Sequence, residues 1–174
     1  MTKSQLTLVR IIALLIVVGI SVYVFTIRDQ AEELAIYGYP GIFGLAFLSY
    51  ATVLLPAPGL AVIFTMGAVF NPIGVALAAG AGAALGEISG YLAGFSGQAI
   101  AENARLYDRL TQWMKTNGAL TIFLLAVIPN PLFDVAGVIA GALKVRLPVF
   151  LFWCWIGETL KMLFFALAGS GILN

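Results

Sequence analysis

Charge is scarce in this sequence. Only 10% of its 174 residues are Asp, Glu, Lys or Arg, and 61% are hydrophobic. A soluble domain carries about 25% charge. Too little polar matter is present to cover a core of this size, which excludes an ordinary soluble fold. The formal net charge of +1 excludes the electrostatics of a nucleic-acid binder. Histidine is absent altogether. That removes the commonest general base and the usual metal ligand. Neither a nucleophile–base pair nor a phosphate-binding loop is present, so no enzyme, no metal and no cofactor is expected. The single cysteine, Cys154, rules out an intrachain disulfide and reads as a small packing residue.

What remains is apolar sequence and its interruptions. A membrane-spanning helix needs about 20 apolar residues. Residues 9–27 qualify, with Arg10 near their start, and read as a retained anchor. Residues 73–97 carry one charge, Glu87, and residues 148–173 carry two, Glu158 and Lys161. Two further apolar stretches are broken. Pro56 and Pro58 interrupt residues 41–70, and Pro129, Asn130 and Pro131 interrupt residues 118–143. Paired prolines remove amide donors and forbid a smooth helix. The remaining arms are mostly too short to cross, so each stretch reads as a re-entrant hairpin that enters and leaves on one side.

The basic residues test that topology. With a cytoplasmic N-terminus and two re-entrant hairpins, seven of the nine basic residues fall inside, Arg28 falls outside and Lys161 lies in the bilayer. A single crossing by residues 41–70 would expose Arg105, Arg109 and Lys115 and break the positive-inside rule. Residues 102–115 form a candidate amphipathic helix at the cytoplasmic interface. Glu102, Arg105, Arg109 and Gln112 recur on one face, and Leu106, Leu110 and Trp113 on another.

The two halves resemble each other. A proline pair, a short arm, a Gly67-Ala68 pair, a turn and a helix bearing Gly86-Glu87 correspond to a proline pair, an arm, an Ala140-Gly141 pair, a turn and a helix bearing Gly157-Glu158. Each unit makes one net crossing, so the second is inverted relative to the first. Inverted repeats with broken segments at the midplane mark transporters.

Three acids at membrane depth, Glu87, Asp134 and Glu158, are candidates to line a polar path, since burying charge there is expensive. Lys161 follows Glu158 by three residues and shares its face. Lys161 and Asn130, which lies between the second proline pair, are further candidates for the same path. Asp134 is equally placed to cap the half-helix behind it. Gly82, Gly86, Gly90 and Gly94 recur every four residues and make a smooth face for helix packing. Its partner is either a hairpin of the same chain or a second protomer. Half-helix starts near 57–60 and 130–133 would offer amides to lipid phosphate.

The run Ile-Pro-Asn-Pro-Leu-Phe-Asp-Val-Ala-Gly at 128–137, followed by Ala140-Gly141 and Trp155-Ile156-Gly157, resembles the VTT domain. This is the SNARE-associated or DedA superfamily, and the likeness is to its vacuole membrane protein type. Leu55 to Gly59 and the helix with Gly86 fit the first half. The resemblance spans about residues 37–172. It implies inverted re-entrant hairpins and lipid transport, with Gly137 and Gly141 as helix-packing positions. Eukaryotic members are regarded as phospholipid scramblases, and DedA members as undecaprenyl phosphate flippases or proton-linked transporters. The acid and arginines of the DedA subgroup are missing here. Asp134 matches an aspartate of the vacuole membrane protein motif.

The expectation is therefore an all-α integral membrane protein. Residues 1–36 form the anchor helix and linker. Residues 37–174 form the domain, with repeat one at 41–97, an interfacial linker helix at 98–117 and repeat two at 118–173. The expected activity is energy-independent phospholipid scrambling, with membrane lipids as partners. Alternatives are a proton-coupled flippase and a structural assembly protein. A short stand-alone domain of this kind points to a prokaryotic plasma membrane.

Overall fold

The computed structural model describes residues 37–51, 58–96, 104–129 and 132–173. The anchor at 9–27, and Pro56, Asn130 and Pro131, lie outside them. Among the described residues there are seven helices and no strand. They are α1 (Gly38–Ala51), α2 (Pro58–Val69), α3 (Pro72–Gly86), α4 (Ile88–Phe95), α5 (Ala104–Val127), α6 (Leu132–Ala142) and α7 (Leu147–Leu173). Both proline-broken stretches thus split into two short helices, α1 with α2, and the end of α5 with α6. Pro129 stands in the gap between the latter two, and Pro58 opens α2.

Two segments are long and apolar enough to cross a membrane, Pro72–Phe95 and Leu147–Leu173. At about 1.5 Å per residue each exceeds a hydrocarbon core of about 30 Å. Their outward faces are greasy, with Leu77, Leu92, Phe152, Phe164 and Ile172 all exposed. The first is not one smooth helix, as its sequence alone suggested. It is interrupted at Glu87, where the Ser89 hydroxyl donates to the Gly86 carbonyl at 3.0 Å. A hydroxyl that bonds back to the preceding turn bends a helix.

Local chemistry sets the other ends. Asn71 caps α3, its Oδ1 accepting the amides of Ile73 and Gly74 at 3.0 and 3.2 Å, with Pro72 at the first helical position. Lys144 closes α6 in the left-handed region at φ 54°, where the amides of Lys144 and Val145 reach back to Gly141 and Ala140. The Tyr91 hydroxyl donates to the Val145 carbonyl at 2.6 Å and ties α4 to this turn.

The long α5 kinks at Asn117 (φ −143°, ψ 64°), between its amphipathic part and its apolar arm. The amphipathic part is docked on the protein. Leu110 and Met114 are buried, while Trp113 is 59% exposed. Met114, one full turn beyond Leu110, completes the inward face.

Contact between the elements follows a pattern that occurs twice. The end of α1 lies along α3, where Gly86 faces the Phe47 carbonyl and the Ala51 amide. The end of α5 lies along α7, where Gly157 faces the Phe123 carbonyl and the Val127 amide. The second short helix of each pair crosses to the other long segment. Gly67 of α2 abuts the backbone of Ala166 on α7, and Gly169 abuts that of Phe64. Gly141 of α6 abuts Tyr91 on α4, and Gly94 abuts Val138. At each of these crossings a Cβ would strike backbone, so only glycine lets the helices approach. Gly90 lies opposite Asp134 and Gly94 opposite Val138, so α4 and α6 run in the same direction.

Two apolar cores result. One gathers Tyr91, Leu110, Met114, Ile122, Phe133, Ile139 and Phe150, and the other Ile42, Ile63, Val75, Ala79, Met162 and Ala166. The glycine face at 82, 86 and 94 is covered by α1 and α6 of the same chain. A second protomer would not find that face open. Gly90 is the member with room to spare.

Candidate functional site

Polar side chains meet at the seam between the two cores. Ala83 of one core and Tyr91 of the other bracket Glu87 along its segment, while Cys154 and Met162, likewise from different cores, bracket Glu158 and Lys161 on α7. Helix geometry therefore delivers these groups to the same level. Asp134 stands in the first turn of α6, where a negative charge complements the helix dipole. Tyr50 comes from the last turn of α1 and Phe133 from the start of α6.

The burial is nearly complete. Glu158 is 0% exposed, Glu87 3% and Lys161 6%, whereas Asp134 is exposed. Lys161 Nζ donates to Glu158 Oε1 at 2.7 Å. The same ammonium lies 5.2 Å from the centre of the Tyr50 ring and 5.9 Å from that of Phe133. Both distances suit cation–π attraction. The Tyr50 hydroxyl approaches the Glu158 carboxylate.

The cluster is short of donors. Glu87 Oε1 and Glu158 Oε2 are buried without a hydrogen-bond partner. Glu87 points its other oxygen towards α6, where a Cβ on Gly137 would meet Oε2 at 3.3 Å and one on Gly90 at 3.8 Å. Thr159 Oγ1 is a third unpartnered buried oxygen, against Gly80 where α3 and α7 approach. Two buried acids thus share one buried base, in surroundings where an unpaired charge costs about 2.5–3.5 kcal/mol.

Of the residues singled out in the sequence, Glu87, Asp134, Glu158 and Lys161 share this seam. Gly90 and Gly137 border it. Gly82, Gly86, Gly94 and Gly141 sit at helix contacts around it. Tyr50, Phe133 and Thr159 were not anticipated. A tyrosine in an apolar arm was the available signal for the first, and the phenylalanine and threonine blend into their helices.

Taken together, these features define an all-helical membrane protein whose polar groups are gathered at one internal seam. The chain belongs to the VTT domain family, the SNARE-associated or DedA family, whose match covers residues 56–171, two thirds of its length. No curated protein and no solved structure matches it.

Proposed function

We propose that this chain moves phospholipids between the leaflets of a membrane without an energy source. Headgroups slide along the seam while acyl tails stay in lipid. The observation that carries this reading is the buried cluster of Glu87, Glu158 and Lys161, with unpartnered oxygens, next to exposed Asp134. A path for polar headgroups needs polar groups at mid-depth and a way in from the side.

The topology follows the same reading. Ala51 and Val127 end the first arms at the levels of Gly86 and Gly157, midway along the two long segments. An arm that stops there and turns back is re-entrant. α6 runs with α4 and then reverses through the Lys144 turn into α7, so the two long segments run in opposite directions. Opposed units of like construction are inverted repeats, and the hairpins enter from opposite faces. The N-terminus and the basic residues Arg109, Lys115, Lys144 and Arg146 are cytoplasmic. Neither a cofactor nor a covalent step is required.

The test uses purified protein in liposomes with tail-anchored fluorescent phospholipid and dithionite outside. Dithionite reaches about half the dye in protein-free vesicles. Near-complete quenching without ATP or a pH gradient is expected. Quenching that stops at the outer leaflet, in vesicles shown to hold folded protein, would overturn the reading.

A further inference from the structure

We infer that Tyr50, Phe133 and Glu158 form a binding box for a primary ammonium, which Lys161 occupies as a tethered stand-in for the amine of a phospholipid headgroup. This rests on the lipid-moving reading and names its substrate class. Two aromatic rings and a carboxylate around one nitrogen are the chemistry by which ammonium ligands are recognised. Here the rings lie 5.2 and 5.9 Å from Nζ and the carboxylate oxygen 2.7 Å away. All three walls come from different helices, α1, α6 and α7, so the box exists only in the assembled seam. Phe133 is 2% exposed and Glu158 0%, so two of its walls are dry, while Tyr50 is half-buried.

Two further features point to a visitor. Glu87 Oε1 and Glu158 Oε2 are buried acceptors with no donor, although a lysine with three N–H groups stands among them. And Lys161 carries its ammonium on a flexible stem, so it can leave the box without moving a helix. A headgroup carrying both an ammonium and a phosphate satisfies both ends of the exchange. Its ammonium takes the place of Nζ, and Lys161 turns to the phosphate.

The 2.7 Å contact also sets specificity. It requires an N–H on the cation, which ethanolamine and serine headgroups have and choline lacks. A quaternary ammonium could touch the rings but would leave Glu158 Oε1 without a donor. The expected preference is about tenfold or more, the share of one charge-assisted hydrogen bond.

Two measurements decide it, on the full chain in nanodiscs of phosphatidylglycerol. First, dihexanoyl phosphatidylethanolamine and dihexanoyl phosphatidylcholine are titrated against the wild-type protein, followed by tryptophan fluorescence. Binding about tenfold tighter for the ethanolamine lipid is expected. Equal binding of the two, or binding of neither, overturns the inference. Second, Lys161→Met empties the box, and its melting temperature should rise with ethylammonium but not with tetramethylammonium. Equal response to both cations, or to neither, counts against the box. Where the variant does not fold, the wild-type titration decides alone. Selective binding by a protein that moves no lipid in liposomes would sink the transport reading and leave the box standing. Transport with unselective binding would do the reverse.

Discussion

Two crossings in this molecule are built alike and surrounded differently. At one, Gly67 and Gly169 let α2 and α7 touch backbone to backbone. At the other, Gly141 and Gly94 do so for α6 and α4. The first borders a core of Ile63, Val75, Ala79, Met162 and Ala166. The second borders Glu87 and Asp134, and carries in addition the Tyr91 hydroxyl's bond to the Val145 carbonyl. The comparison separates what glycine does for packing, which is equal at both sites, from what the polar seam asks of one site alone.

Substitutions can pull the two roles apart. The harshest is Gly141→Leu or Gly169→Leu. Each puts a side chain on the backbone of Tyr91 or Phe64. The cost should exceed the ~1–3 kcal/mol of ordinary overpacking. Both should abolish the monodisperse peak in size-exclusion chromatography. If one site tolerates leucine, the crossings are not equivalent.

Next comes Lys161→Met, which leaves Glu158 buried without its partner and should cost about 3–5 kcal/mol. Adding Glu158→Gln should restore most of the lost thermal stability. No recovery would mean that the pair is not the link the seam depends on.

A smaller effect belongs to Tyr91→Phe. Loss of the 2.6 Å hydrogen bond to Val145 should cost about 1 kcal/mol. Hydrogen exchange should rise in the turn after α6 and remain unchanged at α2. Faster exchange at both would make the tie global.

The smallest is Gly90→Ala. The new methyl meets nothing closer than 3.8 Å. Stability should hold or improve by about 0.5–1 kcal/mol from helix propensity, whereas Gly94→Ala, one turn away, should be destabilising. Thermal melts of the pair would expose a misplaced α6 if the order were reversed.

Much of this was legible in the sequence, because prolines and charges are local signals. Pro58 and Pro129 mark where the short helices begin and end, and the long apolar runs, broken only by Glu87 in one and by Glu158 and Lys161 in the other, mark the two spanning lengths. Long-range contacts were not legible. Gly80 and Gly169 look like any small residues in apolar helices, yet α7 meets the backbone of α3 and α2 at them. The every-fourth-residue glycine face reads as one surface. In the structure it serves α1 at Gly82 and Gly86 and α6 at Gly94, because the helix is interrupted between them at Glu87. Spacing puts Leu106, Leu110 and Trp113 on one face of α5 and does not mark Met114 as buried. The actual fit of Met114 depends on the shape of the core that α5 docks on. Nor does spacing indicate that Tyr50 and Phe133, far apart in the chain, lie around one ammonium.

Cys154 has a practical consequence. It is the sole thiol of the chain and is fully enclosed, at 0% exposure. Maleimide reagents added from either side of a membrane would therefore meet almost no background. Any cysteine placed in a loop would report its own side, so the wild-type chain already serves as the blank for mapping which loop faces which compartment.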